Sequence, residues 1–452
     1  MKRELAAIAI VTAVAQLAAF GKLWLIARLF GVGAELDGYN LGFVFPTLIT
    51  GVLSGALQTG LFPVYARLDA QKGQQFKERF ERLIFYSTAG FAVAIALMLV
   101  ISAPQVTRLL AGDASPAVQE ATSFVLPIAA IAIMFNGVGD YMGYLLAFRG
   151  RYVIAAAAPI ANATLGAALL AAWPEGGLLN LTMGTVMGVA VQVTICLYAA
   201  VRFGFRPFGV LPERQESVAV LKEMLQLGAW ILPGLVFANL TASLPTVLLT
   251  SHGEGAVSAF GYAYRLHQSA IHLLVMAGSP VILARFSEMI AQGELASMNR
   301  VMHKAAWVSF VIGSAAVVFV WLAGSPFLQL IFGQGRFDTE AANRVAAHWG
   351  WLSVGLAPAI LGNVLAKSLQ AGSRPKMMSF LAALGLLTLW TVAFLLSPLI
   401  GACSVPAALA CSSAVVSILA WRTVRRSLAA TIQHEGMKED LQYGKKAGVS
   451  SH

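Results

Sequence analysis

Long apolar segments recur along the whole chain and are separated by short polar loops. A helix needs about 20 consecutive apolar residues to span a bilayer. Twelve segments reach roughly that length, and they lie near residues 5–30, 38–64, 83–107, 121–148, 152–173, 178–201, 225–250, 257–283, 305–332, 346–370, 377–400 and 402–421. The pattern therefore predicts an all-α polytopic membrane protein with about 12 transmembrane helices.

The composition agrees with this pattern. Hydrophobic residues make up 58% of the chain and charged residues 12%, whereas soluble domains carry about 25% charged residues. The three cysteines show no Cys-x-x-Cys spacing, which would indicate a zinc site or a redox motif. No predicted loop is long enough to fold as a soluble catalytic domain. We therefore expect a protein that is not an enzyme and that needs no metal or cofactor.

The net charge of +10 follows a topological pattern. Lysine and arginine lie in or beside one set of alternate loops, with six exceptions: Lys22, Arg28, Arg108, Arg265, Arg336 and Arg344. Loops rich in Lys and Arg are normally cytoplasmic. This predicts cytoplasmic N- and C-termini in a bacterial inner membrane, and it accounts for the charge without nucleic-acid binding.

The two halves of the chain resemble each other. Leu109–Gly112 recurs as Leu330–Gly333, and Asp37–Phe43 loosely recurs as Ser258–Tyr264 at the same offset. Parallel repeats are a common plan for transporters, with the substrate site between the repeats. We therefore predict two six-helix lobes around a central cavity. The boundaries are an N-lobe at 1–203, a cytoplasmic linker at 204–218, a C-lobe at 219–426 and a disordered cytoplasmic tail at 427–452.

Two cations interrupt apolar segments at matching depths. A cation at mid-bilayer costs at least ~2.5–3.5 kcal/mol, so such residues usually face a protein interior or a watery cavity. Lys22 lies eight residues before Phe30, and Arg265 lies eight residues after Val257. Each is therefore about 12 Å from the same membrane edge. An ammonium and a guanidinium at one level predict a site for a phosphate or diphosphate.

A polar face extends along the helix predicted for 257–283. Residues three or four apart share a helix face, which places Gln268 and His272 on the face of Arg265. We include both as candidate substrate-binding residues. The predicted spans 5–30, 38–64 and 225–250 carry faces of small residues and hydroxyls, which serve close helix packing equally well.

Four further residues have open interpretations. Arg28 either contributes to the substrate site or extends to the membrane surface from the end of its helix. Asp37 is either a substrate-site acid or a carboxylate that stabilises a helix N-terminus. Asp140, one turn after Asn136, either binds a coupling cation with it or pairs with a Lys or Arg.

Three segments carry a family resemblance. Ala27–Gly33, followed by Asp37 and by Phe-Pro at 45–46 and 62–63, resembles the start of the MurJ/MviN lipid II flippases. That family belongs to the multidrug/oligosaccharidyl-lipid/polysaccharide exporter superfamily. Tyr262–Leu266 and Phe332–Asp338 resemble its eighth-helix motif and the segment before its tenth helix.

The resemblance implies a V-shaped central cavity, alternating access, and export of a polyprenyl-diphosphate-linked sugar to the outer leaflet. Lys22 falls where the family has a cavity arginine, Arg265 matches another, and Asp37 falls on a family acid. Gln16 and Leu23 depart from a family arginine and acid, and 47–57 lacks the family's charges. The family also has two further C-terminal helices. A related exopolysaccharide or O-antigen unit is therefore as open as lipid II.

The function predicted from these observations is a flippase for a lipid-linked glycan precursor. The expected partners are that lipid-linked substrate and membrane lipids, with a monomeric protein and a coupling ion, Na⁺ or H⁺, left open. The alternative is a cation-coupled small-molecule or drug antiporter of the same superfamily, which would depend on Asp37 or Asp140. A third class, a membrane-embedded glycan polymerase or ligase, usually needs a large external loop that this chain lacks.

Overall fold

In a computed structural model of the chain, the described residues are 2–71, 73–229, 231–273, 279–372 and 374–449, and every regular element in them is helical. The first half holds α1 (Lys2–Phe30), α2 (Ala34–Gly42), α3 (Val44–Gln71), α4 (Gly73–Ile101), α5 (Ala103–Ala111), α6 (Pro116–Phe148), α7 (Tyr152–Ala172) and α8 (Gly177–Arg202). The second half holds α9 (Arg214–Gly228), α10 (Leu232–Leu248), α11 (Ala256–Ile271), α12 (Ser279–Ala291), α13 (Leu295–Phe332), α14 (Thr339–Val354), α15 (Leu356–Ala371), α16 (Pro375–Ile400) and α17 (Ser404–Val449).

The predicted all-α membrane architecture is confirmed. Nine described segments are long and apolar enough to cross a membrane, and α14 with α15 forms a tenth, bent by 47°. One of the nine, Pro375–Arg426, contains both of the last two predicted spans as α16 and α17. The span predicted at 257–283 is instead divided into α11 and α12, on either side of residues 274–278, which lie outside the described ranges.

The helices form two groups. In the first half, α6 packs against α2, α4 and α8, and α7 packs between α1 and α8. In the second half, α17 packs against α14, α15 and α16, and α13 packs against α14 and α15. Contacts between the groups run through α2 with α11, α3 with α10, α3 with α9, and α1 with α13. The result is two helical lobes that meet along α1, α2 and α3.

The segment that connects the lobes is held on the surface of α4 by hydrogen bonds. Arg82 Nε donates to the Val210 carbonyl at 3.1 Å, and the Tyr86 hydroxyl donates to the Pro207 carbonyl at 3.0 Å. The last part of the predicted 204–218 linker is already helical, because α9 begins at Arg214. The next membrane helix therefore begins at Leu232 rather than at 225.

The final helix is longer than predicted. Its backbone stays helical to Val449, through most of the 427–452 segment for which the sequence predicts disorder. This stretch is rich in Ala, Gln, Glu and Lys, which are good helix formers. Residues 450–452 lie outside the described ranges.

Candidate functional site between the lobes

The lobes are joined by a buried carboxylate at the end of the molecule that carries Gly31. Asp37, 1% exposed, accepts hydrogen bonds from the backbone N–H groups of Gly255 and Ser258, both at 2.6 Å. These groups belong to the first turn of α11, where free N–H groups and the helix dipole favour an anion. Both carboxylate oxygens are therefore occupied by the opposite lobe in this conformation.

Further hydrogen bonds close the same end. The Tyr262 hydroxyl donates to the Gly31 carbonyl at 3.1 Å, and the Trp24 indole donates to the Ile331 carbonyl at 3.0 Å. The Arg336 N–H donates to the Arg28 carbonyl at 2.9 Å. We call this set, with the Asp37 hydrogen bonds, the Gly31 gate. It holds the lobes together at this end of the cleft.

Two glycines make the close approach in this gate possible. Gly31 (φ +62°) and Gly335 (φ +69°) adopt left-handed backbone conformations, which other residues adopt at a cost. A Cβ on Gly31 would overlap the Arg336 carbonyl, and a Cβ on Gly335 would overlap the Arg28 carbonyl. Both glycines lie in the segments that carry the family resemblance, so their presence there has a steric reason.

Lys22 lies inside the N-lobe on the side facing α2. Its ammonium donates to the Thr185 hydroxyl at 2.9 Å, and that oxygen lies 2.9 Å from the Tyr39 hydroxyl. Gly166 leaves room for the ammonium, since a Cβ there would lie 2.8 Å from Nζ. Thus α7 and α8 form a cradle for a cation that the sequence places in α1.

Arg265 approaches the same part of α2 from the C-lobe. Its Nη2 donates to the Asn40 side-chain carbonyl at 3.4 Å, next to the Tyr39 that completes the Lys22 cradle. Among the described residues, neither cation is within salt-bridge distance of an acid. Lys22 is connected to Tyr39 through the Thr185 hydroxyl, and Arg265 contacts Asn40, the next residue of α2. That the two cations form one anion site stays a prediction.

A polar cavity of about 370 Å³ lies in the C-lobe, beside the part of α11 that carries Arg265. It is bordered by α10, α11, α15 and α17, and its polar lining includes Thr241, Tyr264, His267, Gln268, Asn363, Ser413 and Ser417. Gln268 donates to the Tyr264 hydroxyl at 2.9 Å. The cavity therefore offers side-chain amides, hydroxyls and an imidazole, which suit a hydroxyl-rich ligand.

The other predicted residues lie apart from this centre. His272, just after α11, is exposed and does not line the cavity. Arg28 is exposed, and its guanidinium carbon lies 5.6 Å from the centre of the Trp24 ring. Asp140 in α6 is half-buried, and no described Lys or Arg is within salt-bridge distance of it. The half-buried Asn136 precedes it by one turn.

The sequence reasoning missed a buried charge cluster at the opposite end of the N-lobe. Arg149 Nη2 lies 2.7 Å from Glu81 Oε2, and the Tyr65 hydroxyl donates to Glu81 Oε1 at 2.8 Å. The Tyr141 hydroxyl donates to the Glu81 carbonyl at 2.8 Å. In the sequence, Arg149 counts only as a loop charge. Its ion pair with Glu81 can be recognised only once α4 is known to pack against α6.

The described parts of the chain contain no group of three or more His, Cys, Asp or Glu side chains that could hold a metal ion. The candidate site therefore consists of the Lys22–Arg265 pair, its partners on α2 and α8, and the polar cavity beside Arg265. Its chemistry is that of binding an anionic, hydroxyl-rich molecule by charge and hydrogen bonds.

Two lobes of membrane helices with internal cations at their junction define a transporter of the alternating-access class. The fold is similar to that of a solved lipid II flippase MurJ in an inward closed conformation (TM-score 0.80, 16% identity, 92% of this chain and 87% of that chain). It is also similar to an inward-facing multidrug resistance MATE family transporter of the MOP superfamily (TM-score 0.76, 16% identity, 93% of this chain and 96% of that one).

The family model described as lipid II flippase MurJ matches residues 26–447. The chain therefore belongs to the MurJ family, and the resemblance seen in the sequence is confirmed; it is a multi-pass protein of a family of transporters rather than enzymes. One relative is the probable lipid II flippase MurJ of Rhizobium meliloti (strain 1021), 24% identical over 335 residues. The alignment spans 70% of this chain and 60% of that relative's length.

Proposed function

We propose that this protein moves a polyprenyl-diphosphate-linked glycan precursor, lipid II or a related exopolysaccharide or O-antigen unit, across the cytoplasmic membrane by alternating access. The observation that carries the proposal is the pair of internal cations, Lys22 and Arg265, on either side of Tyr39 and Asn40. Two positive charges held without an acidic partner are ready to bind an anion. A diphosphate supplies several charged oxygens at the required spacing.

The two cations would bind the diphosphate in different ways. The guanidinium of Arg265 can bind two phosphate oxygens side by side, and its long 3.4 Å hydrogen bond to Asn40 is easily exchanged for a phosphate oxygen. The ammonium of Lys22 acts as a point charge, held in place by Thr185. A bound diphosphate would bridge the two cations, so the substrate itself would draw the lobes together.

The sugars would occupy the polar cavity beside Arg265. Gln268, Asn363 and Tyr264 line it and offer both donors and acceptors to hydroxyl groups. The isoprenoid chain would remain outside the cleft in contact with hydrocarbon. Transport would then be a rocking of the N-lobe (1–203) against the C-lobe (219–426), in which the Gly31 gate opens after the opposite end closes.

Orientation follows from charge. We place the end that carries the 203–213 connection in the cytoplasm, together with both termini, because the Lys- and Arg-rich loops lie on that side. The Gly31 gate then faces outward and is closed in this conformation. An inside-negative potential favours outward movement of an anionic head group by about 2.3 kcal/mol per charge per 100 mV. We propose that the protein acts as a monomer, since each lobe supplies one cation of the pair.

A second candidate function is cation-coupled antiport of a small molecule. The observation in its favour is Asp140, a half-buried acid among membrane helices that has no described Lys or Arg within salt-bridge distance. With Asn136 one turn away, it offers oxygen ligands to Na⁺ or a place for H⁺. The same residues could instead couple an ion to flipping, so Asp140 alone does not separate the two functions.

The test is transport by the purified protein in liposomes. A fluorescent or radiolabelled polyprenyl-diphosphate sugar is followed to the opposite leaflet for wild type, Lys22→Ala, Arg265→Ala and the double variant. We expect each single variant to lose about tenfold or more in rate, since each loses a charge-assisted interaction with the diphosphate. Arg108→Ala, at an exposed arginine of α5, is the matched control. Unchanged flipping by the double variant would contradict the proposal. Export of a small molecule that depends on Asp140 but not on Lys22 and Arg265 would favour the antiporter.

A further inference from the structure

The helices that meet at the lobe junction carry few charges. Before Arg67, α3 has no Lys, Arg, Asp or Glu, and α10 has none along its whole length. In α11 the single residue of these four types is Arg265. The first helix adds Lys22, whereas its Arg28 is exposed beside the Gly31 gate. Lys22 and Arg265 are therefore the two cations that these four helices offer to a ligand between the lobes.

The polar cavity beside Arg265 adds no lysine, arginine or carboxylate to this pair. Its lining, all of it in the described C-lobe, has as polar members Thr241, Tyr264, His267, Gln268, Asn363, Ser413 and Ser417. Lys367 follows the lining residue Ala366 in α15, but its ammonium donates to the exposed Gln370 side chain at 3.4 Å. The space beside α11 therefore offers hydrogen bonds rather than a Lys or Arg for a second anionic group.

Many of these polar side chains present oxygen lone pairs to the cavity. The hydroxyls of Thr241 and Ser417 donate to backbone carbonyls at 2.8 and 2.5 Å. Each hydroxyl has one proton, so both oxygens can only accept from a ligand. The amides of Gln268 and Asn363 likewise donate to protein oxygens, both at 2.9 Å, and their carbonyl oxygens remain as acceptors. A sugar hydroxyl can donate to all four oxygens, whereas a carboxylate has no proton to donate.

The charges of the site balance without any further anion. A diphosphate that joins a lipid to a sugar has one ionised oxygen on each phosphorus, and Lys22 and Arg265 match these two charges. A carboxylate on the sugar would lie among the hydroxyls and amides of the cavity with no Lys or Arg in the lining to pair with it. Burying an unpaired charge costs far more than burying a hydroxyl that keeps its hydrogen bonds.

We infer that the glycan on the diphosphate is uncharged, built of neutral sugars without a uronic acid, a sialic acid or a peptide carboxylate. The inference rests on the proposed function and narrows its substrate class. Of the precursors left open there, an exopolysaccharide or O-antigen unit of neutral sugars fits the cavity, and a precursor that carries a peptide does not. The diphosphate is recognised by charge, and the sugar is selected by the absence of charge around it.

The first experiment compares three substrates that differ in one group. Purified protein in liposomes, without a membrane potential, receives a polyprenyl diphosphate disaccharide that ends in glucose, in glucuronic acid or in the methyl ester of glucuronic acid. We expect the glucose and ester forms to be flipped at similar rates, and the acid about tenfold or more slowly. Equal rates for all three would overturn the inference and leave the proposed function intact. If none were flipped, the proposed function would fail.

Binding of the same head groups decides the inference even in that case. Short-chain analogues of the glucose and acid forms are titrated into the protein in nanodiscs. We expect about tenfold weaker binding of the acid, and equal binding would contradict an uncharged glycan.

A charge added to the cavity should change the selectivity. In Asn363→Lys and Ser413→Lys, which lie on different helices of the lining, we expect the ratio of acid to glucose flipping to rise about tenfold. Asn343→Lys, at an exposed asparagine of α14, makes the same change outside the lining and should keep the ratio of the unsubstituted protein. A ratio unchanged in both cavity variants, or raised equally in the control, would overturn the inference.

Discussion

The carboxylate of Asp37, in the N-lobe, accepts a 2.6 Å hydrogen bond from the backbone N–H of Ser258, in the first turn of a C-lobe helix. One lobe thus supplies the N-terminal capping group for a helix of the other. Such a bond forms only when the lobes are together at the Gly31 gate. The acid expected at the substrate site or at its own helix N-terminus instead stabilises one of the two end states of the transport cycle.

Asp37→Asn should favour opening of the Gly31 gate. The amide offers one oxygen and one NH₂ group, so one backbone N–H of α11 would face another donor. Hydrogen bonds to a charged group contribute about 1.5–3 kcal/mol, enough to shift the closed population strongly. The measurement is a distance distribution by electron spin resonance, with labels at positions 113 and 251 in a background without the native cysteines.

Glu35→Gln is the control for that experiment. Its ion pair with Arg336 spans the same gate at 3.5 Å but is largely exposed, and exposed pairs contribute about 0–1 kcal/mol. We expect its distance distribution to match that of the unsubstituted protein. A similar shift in both variants would mean that net charge, rather than the cap on α11, keeps the gate closed.

Gly335→Ala should also weaken the gate. The added Cβ would meet the Arg28 carbonyl at a residue with φ +69°, and the left-handed conformation alone costs a residue other than glycine about 1–2 kcal/mol. Gly33→Ala is the matched control, because nothing lies within 4 Å of a Cβ at that position and its backbone is extended. The same distance measurement applies. A closed gate in Gly335→Ala would show that the loop shifts without cost.

Thr185→Val should weaken substrate binding although the residue is not charged. The substitution keeps the shape and removes the hydroxyl that holds the Lys22 ammonium at 2.9 Å. We expect the affinity for a soluble diphosphate analogue to fall by about tenfold to a hundredfold, since one hydrogen bond to a charged group contributes about 1.5–3 kcal/mol. Isothermal titration of the detergent-purified protein measures this.

Thr194→Val is the control on the same helix. Its hydroxyl is exposed and donates to the Ala190 carbonyl one turn back, as Thr185 does to Leu181, but it contacts no cation. Any general effect of valine on α8 appears in both variants. Equal affinities for the two would show that Lys22 does not need its cradle in order to bind the diphosphate.

Glu81→Gln should destabilise the N-lobe. Arg149, whose side chain is 16% exposed, would keep an amide oxygen in place of its charged partner at 2.7 Å, so the loss is smaller than the roughly 3–5 kcal/mol that breaking a fully buried pair costs. We expect a clear drop in the midpoint of thermal unfolding in detergent. Glu120→Gln, at an exposed position of α6, should leave the midpoint unchanged. A drop of similar size in both variants would place the effect outside the ion pair.

The sequence was sufficient for the features that depend on local order. The length of the apolar segments predicts the membrane helices, and the equal distance of Lys22 and Arg265 from one edge predicts that both lie at one level of the membrane. The partners of these residues were out of reach, because Thr185 and Gly166 become neighbours of Lys22 only after α7 and α8 pack on α1. Helix periodicity places a side chain on a face, and it does not tell which helix that face meets.

The same limit explains the remaining differences. Gln268 lines the polar cavity, whereas His272, at the C-terminal end of α11, is exposed and does not line it. Asp37 and Ser258 occupy corresponding positions of the two repeats, and nothing in either repeat alone indicates that they bond to each other. Glu81 lies two turns into α4 and Arg149 directly follows α6, and a count of Lys and Arg in loops does not show that the two residues meet.

The hydrogen bond from Arg82 to Val210 fixes the segment between the lobes to the N-lobe. A connecting segment that is bound to one lobe cannot change its length as the lobes move. The turning motion is therefore left to α9 and the beginning of α10.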